Sequence, residues 1–271
     1  MNCTRNPTNW IIALILFSFC SCSKMIQYHP NEIRLDEEDR NLNDKNIARI
    51  AALPHQDSFK IVVIGDTQRF YDELDDFVAE VNQRDDISFV LINGDITDFG
   101  INREFKWISR SLRRLNVPFV SVIGNHDMLA NGRQLFREMF GAENFQFSYS
   151  GYQFICLNTN ALEDGFEGTI PDLAWLESAL DSNQHSSEAF VFSHIPPFDN
   201  DFDPALESGY VDVLLQSGRV RYSIHAHQHR YTLTQPYGPE LNLLVVADMN
   251  KRKYAVLSIN NGIQHIEQVE Y

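Results

Sequence analysis

Three apolar runs in the first half of the chain stop in the same way. IVVIG at 61–65, VLING at 90–94 and VSVIG at 120–124 each close on glycine, and the next residues are Asp66, Asp95 and Asn125, 29 and then 30 residues apart. Runs this short and this rich in β-branched residues predict strands buried on both faces. Between and after them, 72–83, 102–115 and 132–140 carry apolar residues at helical spacing. The alternation predicts consecutive β-α-β units, whose parallel strands bring their C-terminal ends to one edge, where ligands bind in open α/β folds. A glycine before each polar residue lets the backbone turn sharply there and leaves the edge open.

The second half is richer in strand. FQFSYSGYQFICLN predicts a hairpin turning at Ser150-Gly151, PDLAWLESAL a helix with Pro171 in its first turn, and EAFVFSH a strand. A helix at 208–216 and a strand at 220–224 follow, then strands in YTLTQ, LNLLVVA, KYAVLSI and IQHIEQVEY. NIARIAAL at 46–53 reads as a short helix. The expected class is α/β, with two packed mixed β-sheets flanked by helices over residues 46–271. A chain of 271 residues with 44% apolar residues can bury such a core.

The first residues belong to a different device. WIIALILFSFC is apolar for about 11 positions, short of the roughly 20 that span a bilayer as a helix, and SCSK follows it. This predicts a signal peptide at 1–21. Phe19-Cys20-Ser21-Cys22 resembles the lipobox of bacterial lipoproteins, with Phe19 bulkier than the usual leucine, which implies cleavage after Ser21 and lipid on Cys22. The expected location is then outside the cytoplasm, membrane-anchored and facing periplasm or cell surface, with secretion without lipid as the alternative. Residues 22–45, polar and acidic, read as the lipidated terminus and a solvated tether, with ordering of part of it against the domain as the alternative. Cys156, in YQFICLNT, reads as a small buried strand residue. The net charge is −15, and removing 1–21 takes away Arg5 and no acid. So acidic a surface repels nucleic acid and favours a small phosphoester over it as a partner. Oligomeric state is not readable from the sequence.

Imidazoles complete the strand-end set. His194 closes AFVFS, and IHAHQHR places His225, His227 and His229 on one face if the pleat continues. Histidines at i and i+2 after an apolar strand, in a chain with strand-end carboxylates, favour metal binding. His29, His55, His185 and His265 stand in no such pattern.

The blocks GD at 65–66, GDITD at 94–98, GNHD at 124–127, His194 and AHQH at 226–229 resemble, in order and spacing, the signature of the calcineurin-like metallophosphoesterases. The resemblance spans about residues 60–230 and implies a four-layer αββα sandwich with two divalent cations, Mn²⁺, Fe²⁺, Zn²⁺ or Mg²⁺, at the strand ends. It implies one cation on Asp66, Gln68, Asp95 and His229 and the other on Asp95, Asn125, His194 and His227, with Asp95 shared. The family has glycine before the first histidine of the last block, which Ala226 fits better than Ile224, so His225 is left as support. It implies His126 as the acid for the leaving oxygen and Asp98 as the carboxylate that orients it. Asp127 reads as a structural loop residue. The family usually has histidine at position 68; glutamine offers an amide oxygen and tilts the first site toward Mn²⁺ or Mg²⁺ over Zn²⁺.

The implied reaction is hydrolysis of a phosphomonoester or phosphodiester by in-line attack of water activated between the cations. The competing class is a surface-tethered lipoprotein that keeps the fold and binds without turnover, for which Gln68 is the support. The chain has no G-x-S-x-G elbow, H-E-x-x-H pair or G-x-x-x-x-G-K-[ST] loop, which argues against a serine esterase, a zinc protease and a P-loop nucleotide site.

Overall fold

Residues 61–64 are apolar on both faces, and that sets the layers. The computed structural model describes residue 29, residues 32–182, residue 186 and residues 188–271. Its first half runs α1 (Leu42–Ala51), β1 (Ser58–Ile64), α2 (Tyr71–Val81), β2 (Ile87–Asn93), α3 (Asn102–Leu112), β3 (Phe119–Val122) and α4 (Gly132–Met139). The second runs β4 (Phe145–Tyr149), β5 (Tyr152–Cys156), α5 (Leu173–Ser182), β6 (Glu188–Phe192), α6 (Glu207–Gln216), β7 (Val220–His225), β8 (Thr232–Thr234), β9 (Asn242–Val245), β10 (Lys253–Asn260) and β11 (Ile263–Glu270).

The strands form two mixed sheets, in the orders β11-β10-β1-β2-β3 and β4-β5-β6-β7-β9-β8. The runs β1-β2-β3 and β5-β6-β7-β9 are parallel, and the hairpins at the edges are antiparallel. Ile61 and Val63 pack across to Phe154 and Phe190 of the second sheet, while Val62 and Ile64 pack under Leu74, Phe77 and Phe105 of α2 and α3. On the far side, Leu176 and Leu180 of α5 and Tyr210 and Leu214 of α6 cover Val191 and Leu243. The layers are helix, sheet, sheet, helix, as expected from the sequence.

The β4-β5 hairpin turns at Ser150-Gly151, both with positive φ (50° and 86°), which suits the twist of paired strands. Cys156 is fully buried, and burial pushes its thiol well up. Pro171 lies just before α5, outside its first turn; Asp172 supplies the cap, its Oδ1 accepting the Trp175 N–H at 2.9 Å.

Residues 32–45, within the stretch read as a tether, order against the domain. α1 starts at Leu42, four residues before the expected helix, and Asn43 accepts the Ser121 N–H at 2.9 Å and donates to the Ser121 carbonyl at 2.8 Å. Asn46 accepts the Phe119 N–H at 3.2 Å. These amides do what another strand would do along β3, the open edge of the first sheet. Arg34 N–H and Arg40 are likewise fixed, to Asn102 Oδ1 and to Glu138. The expected signal peptide and Cys22 lie outside the described residues. Among the described residues no helix is long and apolar enough to cross a membrane.

Candidate metal centre

Parallel strands from both sheets end on one side of the molecule, and their next residues meet there: Asp66 after β1, Asp95 after β2, Asn125 after β3, His194 after β6, and His227 and His229 after β7. The backbone at four of these is left-handed, with φ 50° at Asp66, 53° at Asp95, 69° at His227 and 54° at His229. Side-chain-bearing residues rarely accept that conformation, and such strain gathers where a site demands it. The ligand candidates therefore stand on turns. The pleat expected through 225–229 stops at His225, and His225 points elsewhere: it is fully buried, with Nδ1 2.9 Å from Ser193 Oγ. Burial, with the neighbouring His194, pulls its pKa down to about 3, so it is neutral.

Close approach explains two glycines. A Cβ on Gly124 would sit 2.0 Å from Asp95 N and 2.2 Å from Asp95 Oδ1, and one on Gly94 (φ +83°) 2.8 Å from His194 Nδ1. Asp127, fully buried, staples the same turns, accepting the N–H groups of Gly124 (2.9 Å), Ile96 (3.3 Å) and Thr97 (2.8 Å) and the Thr97 hydroxyl (2.8 Å). This is the structural role expected for it.

His194, His227 and His229 each turn one nitrogen inward and the other toward an outer oxygen. His194 Nδ1 lies 2.7 Å from the Asn93 carbonyl, which can only accept, so Nδ1 carries a proton. Its Nε2 faces Asp95 Oδ2 at 3.3 Å and Asn125 Oδ1 at 3.0 Å. His227 presents Nδ1 to Asn125 Oδ1 (3.2 Å), with Nε2 3.2 Å from Asp201 Oδ2. His229 presents Nε2 to Asp66 Oδ1 (3.5 Å), with Nδ1 3.8 Å from Asp248 Oδ2. Outer partners of this kind orient metal-binding imidazoles and choose their tautomer.

The inward surface is therefore a gathering of acceptors. Asp66 Oδ1 is buried without a hydrogen bond, and the ligand atoms of Asp95, His194 and His227, and of Asp66, Asp95 and His229, lie within 4.8 Å of one another. A proton or a cation has to resolve this. Burial opposes charge on His194, but the adjacent Asp95 carboxylate outweighs it and holds the ring up to about 10. Burial likewise works against ionised Asp95, and His194 outweighs that, so Asp95 stays below the usual carboxylate range. Two oxygen-rich groups sharing one carboxylate, with three imidazole nitrogens, fit a pair of divalent cations. The side chain of Gln68, 2% exposed, fits its place with the amide turned either way. With Nε2 turned to Asp95 it donates to Asp95 Oδ2 (3.1 Å) and to the Thr97 carbonyl (3.2 Å); the opposite orientation puts Oε1 beside Asp95, where a cation would need oxygen.

His126 stands at the rim, its side chain 33% exposed, with its N–H donated to Asp95 Oδ1 at 3.0 Å. Its ring is oriented differently from the expectation. Nδ1 lies 2.9 Å from the main-chain carbonyl of Asp98, whereas the Asp98 carboxylate is 3.7 Å away and paired with Arg69. Sequence reasoning missed Asp201 and Asp248. Asp201 sits in an irregular loop with no periodic signal, but LLVVAD at 243–248 repeats the pattern of an apolar run ending in a carboxylate.

The family described as calcineurin-like phosphoesterase matches residues 59–231. A probable glycerophosphodiester phosphodiesterase of Arcobacter nitrofigilis is 32% identical over 114 residues, covering 40% of this chain and 41% of that protein. A probable cyclic nucleotide phosphodiesterase of Rhodopseudomonas palustris is 28% identical over 159 residues, covering 52% and 58%. The matched stretches thus span about half the length of these relatives. Among solved structures, a dimetal phosphatase from Danio rerio aligns with TM-score 0.64 at 16% identity, over 78% of this chain and 97% of that one. A purple acid phosphatase from yellow lupin aligns with TM-score 0.62 at 12% identity, over 80% and 52%. With a match over most of the body and the signature residues gathered at one edge of the sandwich, the chain belongs to the calcineurin-like phosphoesterase family.

Proposed function

We propose that the protein hydrolyses a small phosphoester at this edge, using two divalent cations, one on Asp66, Gln68, Asp95 and His229 and the other on Asp95, Asn125, His194 and His227. The observation that carries the reading is His194: its outer nitrogen is committed to Asn93, and its inner nitrogen faces only Asp95 and Asn125 oxygens. When bound, such a cation pair lowers the pKa of a shared water and neutralises phosphate oxygens. Asp95 holds both positions together and, through the His126 N–H, fixes the rim residue relative to them. His126 keeps its Nδ1 proton on the Asp98 carbonyl, which leaves Nε2 to give a proton to the departing oxygen. Arg69, 56% exposed, brings positive charge to the same rim. The names of the two curated relatives make a phosphodiester the first class to test.

One observation favours a second reading. With Nε2 turned inward, Gln68 fills the first position with hydrogen bonds, and the chain would bind one ion without turnover. A solved structure of similar fold, TM-score 0.61, is described as an anchor in the inner membrane complex of Plasmodium. Metal-stripped protein titrated with Mn²⁺, with a nitrophenyl phosphodiester and the matching monoester as substrates, separates the two. Hydrolysis that saturates with about two ions per chain supports the enzyme; one ion and no turnover supports the binder.

We also propose export and lipid attachment at Cys22, supported by the apolar run and small residues before it. Radiolabelled palmitate should enter the wild-type protein in its bacterial host and not Cys22→Ala; equal labelling of both would refute it.

A further inference from the structure

Both imidazoles of the last signature block have carboxylate neighbours, but the openings beside them are lined differently. Beside His227 lie Asp201 Oδ2 at 3.2 Å and Asp199 Oδ1 at 3.7 Å. Beside His229 a cavity of about 460 Å³ opens, and its walls include Arg230, Tyr231, Lys251 and Lys253, with Glu270 as its one acidic residue. In a chain of net charge −15, three cations around one opening stand out, although Asp248 lies 3.8 Å from His229 at its inner end. Lys253 is partly answered by Glu270 at 3.5 Å, and Arg230 donates to Gln228 at 3.2 Å. The chain folds the cations together because β7 leads into Arg230 and Tyr231, while the crossover from β9 carries Lys251 and delivers Lys253 as the first residue of β10. The isolated bridge between Gly65 and Asp248 holds that crossover beside the end of β1.

The cavity and the rim acid lie at different places along the cleft. His126 is bonded to Asp95 and Asp98, whereas His229, which lines the cavity, meets Asp66. With cations on Asp66 and Asp95, a diester whose leaving oxygen meets His126 would have its retained substituent lateral to the line of attack, free to run past His229 toward the cavity. We propose that this cavity is a subsite for the retained substituent of a phosphodiester, and that the group it takes is anionic, seated by Lys251, Lys253 and Arg230 beside the Tyr231 ring. This rests on the phosphoesterase reading above. The acidic pair at His227 works in the same direction, disfavouring a substrate bound the other way round.

The test compares two diesters on the metal-loaded protein. Both lose the same nitrophenolate; one retains an alkyl group ending in a carboxylate and the other the methyl ester of that group. The carboxylate substrate is expected to have the lower KM, and the preference to shrink as salt rises from low to high, because these charges are exposed to solvent. Lys251→Ala combined with Lys253→Ala is expected to lower the preference roughly 3- to 30-fold, mainly through KM, as for two exposed charge pairs. Lys60→Ala, at the far end of β1, should leave it as it is. A wild-type protein indifferent to the carboxylate, or a preference that survives the double substitution, overturns the subsite. If neither ester turns over at any metal loading, the phosphoesterase reading falls and the subsite with it. Should the double variant fold poorly, the salt dependence in the wild type decides: a preference unchanged by salt refutes the proposal.

Discussion

Asp95→Asn is expected to cut bound Mn²⁺ from a pair to at most one ion and to lower metal-dependent kcat/KM by at least ~1,000-fold, about 4 kcal/mol of transition-state stabilisation. Asp95 is 1% exposed and belongs to both groups of candidate ligands, with His194 and His227 on one side and Asp66 and His229 on the other. Asparagine keeps the size and one carbonyl oxygen, so the His126 N–H still finds an acceptor and the turn at 95 keeps its support. It loses the second anionic oxygen, and its NH₂ would then face either His194 Nε2 or Gln68. A donor cannot ligate a cation, so the two positions lose their common member. Counting bound metal alongside hydrolysis and thermal unfolding separates this from misfolding. Retention of two ions with full turnover would remove Asp95 from the bridging role.

The fold was readable where burial imposes periodicity. Apolar runs of four or five residues gave β1, β2 and β3, and helical spacing gave α2, α3 and α4, with ends displaced by a few residues. The strand-end rule then located Asp66, Asp95, Asn125 and His194, because parallel strands must deliver their last residues to one edge. What failed lies beyond periodicity. Asn43 reads as a tether residue because its partner, Ser121, is 78 positions away, and an amide that completes a sheet edge leaves no local pattern. His225 shares the spacing of His227 and His229, but the strand ends at His225 and the next turns use left-handed backbone, so equal spacing ceases to mean a shared face. The Asp98 expectation placed the bond to His126 on a carboxylate, and the structure places it on the carbonyl of the same residue, a distinction that residue type cannot carry. Asp248 was recoverable, since the run before it has the same form as the other three.

His126→Ala should slow hydrolysis of alkyl phosphodiesters by ~100- to 10,000-fold while slowing nitrophenyl esters far less. The difference arises at the leaving oxygen. An alkoxide is too basic to depart without a proton, whereas a nitrophenolate leaves as the anion, so only the first needs an acid in the transition state. Because the Asp98 carbonyl can accept but never donate, Nδ1 is the donor in that contact, and a proton given to the leaving oxygen would come from Nε2. That fixes what neighbouring substitutions should do. Asp98→Asn retains the main-chain carbonyl and loses the partner of Arg69, so it should preserve most of the contrast between alkyl and nitrophenyl esters. A carboxylate-oriented histidine would instead lose the contrast in Asp98→Asn nearly as fully as in His126→Ala. Rates for a series of diesters of rising leaving-group basicity measure this directly. In the wild type the rate should depend weakly on basicity, and in His126→Ala steeply; parallel slopes would show that His126 holds the substrate without passing it a proton.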